Sequence, residues 1–553
     1  MRYKKLVFLF TIILLASILR LWQLGVVPPS PDWDEAALGY NAYSILLTGK
    51  DEYGEKFPLI LKSFGDYKPA LYAYLAIPSI SLFDLTTFAV RFPSAIFGII
   101  TIFTTYLFIR ILSKRDDVAL LSAFFLAISP WHIQFSRVAF ETNIGLSLNI
   151  LAALFFVLGL RKPFFLSLSA LMLGLGLYAY QSEKVFVPLL FLILVIVFYR
   201  KLKQIPLKFH VAAVITGIII STPMVLALTK DASTTLGRAK GVSVFTAQSP
   251  AFDANTQKVL YDKQQGDVLG QILDNRRIFY ARQVVENYLT HWDLNWLFVK
   301  GDIGRHHAPG MGLLYLFELP LILVGIYALI FGKYPKEMKA LIILWFLIAP
   351  IPASVTTGVP HAVRTFNFLP TFQVFSALGA LEILAILKKS PMGVSGFGKT
   401  GLRNGIALTI LLGVLFNVTY YLNQYFVQQN YFHSEDWQYG YAQAVSKTNE
   451  IGADYDKIVV TNAGYFDQSY IFYLFYLKFS PSEYQSNMSF IGESKTDRKI
   501  GKYEFRKINW ATDMSLKNTL FVGMPDEFNT KTNKESTINF LNGKPAIKVV
   551  GTE

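Results

Sequence analysis

Eleven apolar blocks, most of them near bilayer length and separated by charged turns, constrain this chain before any other feature does. They lie at 6–24, 88–112, 118–133, 142–160, 163–180, 185–199, 209–228, 311–331, 339–356, 362–387 and 403–424. A helix needs about 20 apolar residues to cross the hydrocarbon layer, with a range of roughly 17–25. The apolar residues run on continuously instead of recurring on one helical face, so no face is left for water. Only 16% of the 553 residues are charged, whereas soluble domains carry about 25%. The 46 Phe and 30 Tyr suit lipid and headgroup depth, where aromatic rings collect.

The turns set sidedness. Lys4-Lys5, Lys114-Arg115, Arg161-Lys162, Arg200-Lys201-Leu202-Lys203 and the basic stretches 333–339 and 388–403 read as cytoplasmic by the positive-inside rule. Residues 25–87, 134–141, 181–184, 229–310, 357–361 and the tail after 425 then face outward. The net charge of +14 belongs to these anchoring turns; nucleic-acid binding would require a basic face on a soluble module, and no such module is visible. The absence of cysteine excludes disulfides and thiolate metal sites. The first block is expected to be a retained span, because Arg20-Leu21-Trp22-Gln23 continues it without a small-x-small cleavage site. Residues 69–84 are apolar but short and contain Pro69 and Pro78. If they crossed, every later turn would invert, so they are expected as an interfacial or re-entrant helix.

The expected fold is an all-α polytopic membrane bundle of about eleven transmembrane helices plus that interfacial helix, with a small outward α/β C-terminal domain. The expected division is a transmembrane region 1–424, with outer loops 25–87 and 229–310, and an extracytoplasmic domain 425–553. In the tail, 435–452 reads as a helix, 456–462 as a buried strand, 469–479 as an apolar helix or strand and 519–525 as a strand.

The polar residues of interest gather on the outward side. Pro28, Pro29 and Pro31 end the first block. Asp32, Asp34 and Glu35 follow, three carboxylates in four positions leading into a helical stretch. Crowded carboxylates repel one another unless a cation, proton or substrate compensates them, which is how a general base acquires a tunable pKa. An ordinary helix start with an Asp N-cap is the other reading. Lys68 heads the short apolar segment and either snorkels to headgroups or holds a lipid phosphate. His132, Arg137 and Glu141 lie in the next outward region; Arg137 and Glu141, spaced i,i+4, either pair on one helix face or serve an anion and an acceptor or metal respectively. Lys184 either anchors phosphate or flanks a span. Arg305, His306 and His307 precede the eighth block, and His361 and Arg364 open the tenth. Arg364 inside an apolar segment needs an anion partner, and Glu318 inside the eighth block either lines a cavity or pairs with a cation. The adjacent histidines leave a metal site open. A transporter would carry its polar groups nearer mid-span, between matching broken helices.

These residues resemble the GT-C membrane glycosyltransferases, in the branch of the protein O-mannosyltransferases and the lipid A aminoarabinose transferase. The likeness rests on Asp34-Glu35 in the first outer loop, Lys68-Pro69 before a Tyr-rich apolar segment, Arg91-Phe92-Pro93-Ser94-Ala95 opening the second block, and Ser129-Pro130 followed by Arg137 and Glu141. It covers roughly residues 1–385. It implies inverting transfer of a sugar from a polyprenyl- or dolichyl-phosphate donor to a protein, lipid or glycan acceptor, without a nucleotide sugar. Asp34 would be the general base and Glu35 would orient it or bind acceptor. Lys68, Arg137 and Lys184 or Arg364 would hold the leaving phosphate, with Glu141 and Asp32 at the acceptor or a metal. Arg91, His132, Arg305, His306 and His361 would be pocket residues. Relatives differ in metal use, so a divalent ion stays an open expectation. Glu141 stands where relatives often have Asp, and Ala70 follows Pro69 where some have a second proline.

Overall fold

The structure, a computed structural model, describes residues 2–64, 66–230, 241–246, 249–389, 399–491, 497–528 and 535–552. The N-terminal half forms helices α1 (Arg2–Leu21), α2 (Trp33–Thr48), α3 (Leu71–Phe83), α4 (Thr87–Ser113), α5 (Asp116–Ile128), α6 (Pro130–Arg137), α7 (Glu141–Gly159), α8 (Phe165–Gly176), α9 (Glu183–Leu202) and α10 (Leu207–Lys230). Among the described residues, seven helical segments are long and apolar enough to cross a membrane, or eight if α5 and α6 count as one broken span. They are α4, α7, α9, α10, Lys336–Ser354, Phe366–Leu387 and Leu408–Phe432. The eleven blocks drawn from hydropathy exceed the helices that pass this length and composition test among the described residues. The blocks at 163–180 and 311–331 contain helices of only 12 and 14 residues. The first block lies on α1, whose ends carry Lys4, Lys5 and Arg20. Apolar composition continues beyond a helix end; hydrogen-bonded length does not. The segment expected at the interface is α3, 13 residues with Pro78 inside.

The chain divides into two compact units. The first comprises Met1–Ala16, Ile100–His132 and Thr142–Val418. Within it, Glu318–Phe331 and Thr371–Lys389 approach closely through glycine. A Cβ at Gly325 would lie 1.9 Å from the Phe375 carbonyl oxygen, and one at Gly379 would lie 1.9 Å from that of Leu321. Small residues that let two backbones meet are how apolar helices associate where no hydrophobic gain separates helix from lipid. Outer loop 229–310, which periodicity did not resolve, contains helices Pro250–Gln265, Val268–Leu273 and Arg276–Thr290.

The second unit comprises Ser17–Ile99, Ile133–Glu141 and Thr419–Glu553. It holds α2, α3, the antiparallel hairpin β1 (Ile60–Ser63) and β2 (Asp66–Pro69), and a seven-stranded mixed sheet from the tail. The sheet strands are β3 (Lys457–Val460), β4 (Ser489–Phe490), β5 (Arg498–Ile500), β6 (Tyr503–Phe505), β7 (Thr519–Gly523), β8 (Glu535–Asn539) and β9 (Pro545–Gly551), in the order β4-β5-β6-β3-β7-β9-β8. The central strand β3 pairs parallel with both β6 and β7. Central parallel strands are covered on both faces, and Ile458, Val459 and Val460 are accordingly all buried. On one side Val459, Phe521 and Val550 meet Ile508, Trp510 and Phe528. The expected tail helix is Tyr441–Ile451, and the 469–479 segment resolves as helix Ser469–Tyr476.

Candidate active site

The acidic run at 32–35 is ordered by local capping. Asp32 is the N-cap of α2 and accepts from the Glu35 amide at 2.8 Å, while Glu35 Oε2 accepts from the Asp32 amide at 3.3 Å. This capping box satisfies amides at the helix start. The N-cap reading thus holds for Asp32, which is buried, and leaves Asp34 in the first turn with its side chain 37% exposed. The positive end of the helix dipole favours a carboxylate there.

Glu35 is fully engaged below that surface. Arg91 grips it in two parallel bonds, Nε to Oε1 and Nη2 to Oε2, each 2.8 Å. The Ala139 amide donates to Oε1 at 2.8 Å. The remaining Arg91 donors reach the carbonyls of Leu24 at 3.2 Å and of Pro28 and Ser30, each at 2.8 Å. Both side chains of this pair are essentially inaccessible. A buried ion pair persists where every donor and acceptor is satisfied, and here one guanidinium ties the 24–30 loop to the start of α2.

Asp34 is joined instead by Lys68. The ammonium lies directly on Asp34 Oδ1, and the Lys68 side chain is only 7% exposed. The hairpin places it: Lys68 sits on β2 opposite Leu61 of β1. An exposed carboxylate and a buried ammonium therefore meet above the Arg91–Glu35 clamp.

Arg137 is also in the second unit, and its environment differs from expectation. It ends α6, whereas Glu141 begins α7, so a break at 138–140 separates them and the i,i+4 geometry of one helix does not apply. Its terminal nitrogens donate to the carbonyls of Leu19 at 3.0 Å, Arg20 at 3.2 Å, Gln23 at 3.3 Å and Val27 at 2.9 Å. The rings of Tyr425 and Phe426 lie 5.5 and 4.8 Å from the guanidinium carbon. A phosphate at Arg137 would have to displace carbonyls that end α1. Glu141 is buried at the start of α7.

The remaining expected residues belong to the first unit. Lys184 lies in the first turn of α9 and donates to Gln181 Oε1. His132 is buried and stacks on Phe366, with ring centres 5.9 Å apart. Arg364 donates from Nη1 to Thr356 Oγ1 and to the Thr357 carbonyl, each at 2.7 Å. Arg305 is half-buried. Glu318 is buried and accepts from Ser376 Oγ and the Tyr315 amide, both at 3.2 Å. The His307 ring faces backbone carbonyls of Ala308 and Met311 at 2.8 and 2.9 Å. His306 and His361 approach each other with ring centres 5.2 Å apart, joined by Asp302, whose Oδ2 lies 3.1 Å from His306 Nδ1. Burial lowers the pKa of both imidazoles, that of His361 to about 3, so both rings are neutral near pH 7. Burial alone would raise the Asp302 carboxyl, but the hydrogen bond from His306 and the Ala362 amide holds it below its usual range.

Sequence reasoning overlooked three groups. Asp302 is one helical turn ahead of His306, a spacing that could have revealed it. Glu183 is buried in the first unit and accepts from Asn149 and Asn367 Nδ2, each at 2.7 Å; an acid at the start of an apolar block was the available signal. Glu52 is fully buried in the second unit near Arg498, whose guanidinium sits 3.6 Å from the centre of the Tyr470 ring and donates to Tyr53 Oη at 2.6 Å. No local pattern links positions so far apart.

The model of the dolichyl-phosphate-mannose-protein mannosyltransferase family matches residues 67–226, a stretch holding Lys68, Arg91, Arg137, Glu141 and Lys184. No curated protein sequence matches the chain significantly. Among solved structures, ArnT from Cupriavidus metallidurans in the apo state aligns with a TM-score of 0.52 at 12% identity, covering 98% of this chain and 96% of that one. The same enzyme bound to undecaprenyl phosphate gives 0.54 at 10% identity, with 98% and 97% covered. The chain has the GT-C glycosyltransferase fold. The oligosaccharyltransferase of Archaeoglobus fulgidus, tethered to an acceptor peptide, reaches 0.50 at 13% identity over 86% of this chain and 63% of its own. The seven or eight apolar helices among the described residues mark this chain as a multi-pass membrane protein.

Proposed function

We propose that this GT-C protein transfers a sugar from a polyprenyl-phosphate donor to an acceptor hydroxyl on the outer face of a prokaryotic cell membrane, with inversion at the anomeric carbon. In this reading residues 1–424 form the membrane-embedded catalytic region and 425–553 an outward domain. The observation that carries the proposal is the Asp34–Lys68 pair: a partly exposed carboxylate at a helix N-terminus, held by a nearly buried ammonium. Asp34 is the general base. It removes the acceptor hydroxyl proton as the acceptor oxygen bonds to the anomeric carbon. On the opposite face of the sugar the bond to the donor phosphate breaks, and polyprenyl phosphate leaves. Lys68 stabilises the charge that grows on that phosphate. It also pairs with Asp34 before the donor arrives, and a bound phosphate competes for the ammonium and releases the base. Glu35, Arg91 and Arg137 are positioning residues here: Arg91 holds Glu35, and Arg91 and the terminal nitrogens of Arg137 donate to carbonyls of the 19–30 segment.

The test supplies membranes containing the protein with radiolabelled polyprenyl-phosphate sugars and follows label into protein, lipid and glycan. Asp34→Asn should insert normally and lose transfer by about 10²–10⁴-fold, the contribution of a positioned general base. Undiminished transfer in that variant refutes the base, and no transfer from any such donor by the wild-type protein refutes the reading as a whole.

A further inference from the structure

The first unit contains a second group of polar side chains outside the Asp34–Lys68 pair. Asp302, His306 and His361 each direct a ligating atom into one small volume, and these atoms all lie within 4.8 Å of one another. A tetrahedral ion with bonds near 2.1 Å sets its ligand atoms roughly 3.4 Å apart, so rotation of the two rings closes the set. His306 is buried and the other two are nearly so. His361 Nδ1 is buried and has no hydrogen-bond partner, an uncommon state for a polar atom removed from water. The backbone beneath it is secured by His291, whose Nε2 accepts from the His361 amide at 3.3 Å while its Nδ1 faces the Asn287 carbonyl at 2.7 Å.

We infer that Asp302, His306 and His361 form a binding site for a divalent transition-metal ion, with zinc the best fit to the donor set. Two imidazoles and one carboxylate are a ligand set typical of zinc with its fourth position open. Calcium and magnesium bind through many oxygens, and among the described residues the group holds one carboxylate. Arg364 lies close enough for its charge to act on His361. A cation held by charge alone would be repelled there, whereas one held by directed nitrogen bonds is not. Asp302 and His306 belong to the turn after Gly301, and His361 immediately precedes the span Phe366–Leu387. The ion therefore clips that turn to the entry of the span, closing the chain between His306 and His361. The inference stands independently of the glycosyl-transfer reading.

The experiment uses the full-length protein purified in detergent through a non-histidine tag, equilibrated with zinc, desalted and analysed by elemental mass spectrometry. Wild-type protein should retain about one zinc per chain, and Asp302→Asn and His361→Gln should retain nearly none. Chelation should lower the thermal midpoint of the wild type and leave that of His361→Gln unchanged. His361→Cys, which keeps a ligand, should still bind and, loaded with cobalt(II), should show a thiolate-to-metal charge-transfer band; this variant serves even if His361→Gln fails to fold. Wild-type protein without zinc above buffer level, unchanged zinc content in Asp302→Asn and His361→Gln, or a cobalt-loaded His361→Cys without the band would each overturn the site.

Discussion

Replacing Arg91 by lysine keeps the charge and changes only the number and geometry of donors. Arg91 makes five hydrogen bonds, two to Glu35 and three to the carbonyls of Leu24, Pro28 and Ser30, and none of the side chain is exposed. An ammonium has three donors on a single atom and cannot span both a bidentate carboxylate and three carbonyls. At least two buried acceptors lose their partners. With about 1–3 kcal/mol for each, the loss is on the order of 2–6 kcal/mol. It falls on the 24–30 loop and the start of α2, which carry Asp34. Arg110→Lys is the matched control, since the Arg110 side chain is 54% exposed and an exposed pair is worth about 0–1 kcal/mol. Thermal unfolding in detergent should show a drop of several degrees for Arg91→Lys and almost none for the control. Limited proteolysis should cut the 24–30 loop faster in Arg91→Lys. The transfer assay should show loss of activity although Asp34 is intact. If the two variants melt together and resist protease equally, the guanidinium does not hold the loop and the positioning argument fails.

Other outcomes follow from the same structure. Gly325→Leu and Gly379→Leu should each destabilise the first unit by at least about 1–3 kcal/mol, because the added side chain meets a carbonyl oxygen of the facing helix; an unchanged thermal midpoint would show that the two helices are not in contact there. Burial raises the Glu52 pKa from its model-peptide range to about 7, with Arg498 opposing the shift. A carboxyl raised in the folded state binds its proton more tightly there than in the unfolded chain. Its contribution is complete below about pH 4.5 and is lost as pH rises to about 7. Glu52→Gln, which stays neutral, should therefore gain on the wild type between about pH 5 and pH 8 in thermal unfolding, and a constant difference across that range would contradict the burial argument. Arg498→Met should lower the thermal midpoint in the same assay and move the pH dependence due to Glu52 upward, since it removes the cation that opposes the rise of that carboxyl; an unchanged pH dependence would contradict the coupling.

Much of the candidate site is visible along the sequence, and the limits of that reading have physical causes. Asp32, Asp34 and Glu35 stand out as an acidic run after prolines, but the run conceals three roles. Asp32 caps a helix, Asp34 faces outward and Glu35 turns inward, a division made by helical phase and by what each side chain meets. Lys68 was legible as a cation heading an apolar segment; that its partner is Asp34 was not, since 34 residues separate them. Arg137 is assigned to a phosphate by the family resemblance, and its burial means that its charge needs compensation. Four carbonyls supply that compensation, and backbone acceptors leave no mark in residue identity. Glu183, cradled by the side chains of Asn149 and Asn367, and Glu52, beside Arg498 of the tail, escaped notice because their partners are distant in sequence.

By itself, the sequence determined the bilayer as solvent and the order of the apolar segments. These are properties of contiguous residues, and transfer of a segment into lipid depends on its own composition. Tertiary structure alone decided which apolar blocks become full-length helices, which of three adjacent acids faces a cation in the open, and how Asp302 and His306 come to meet His361. Such pairings depend on exclusion of water from a shared space, and that space exists only once distant parts of the chain have closed around it.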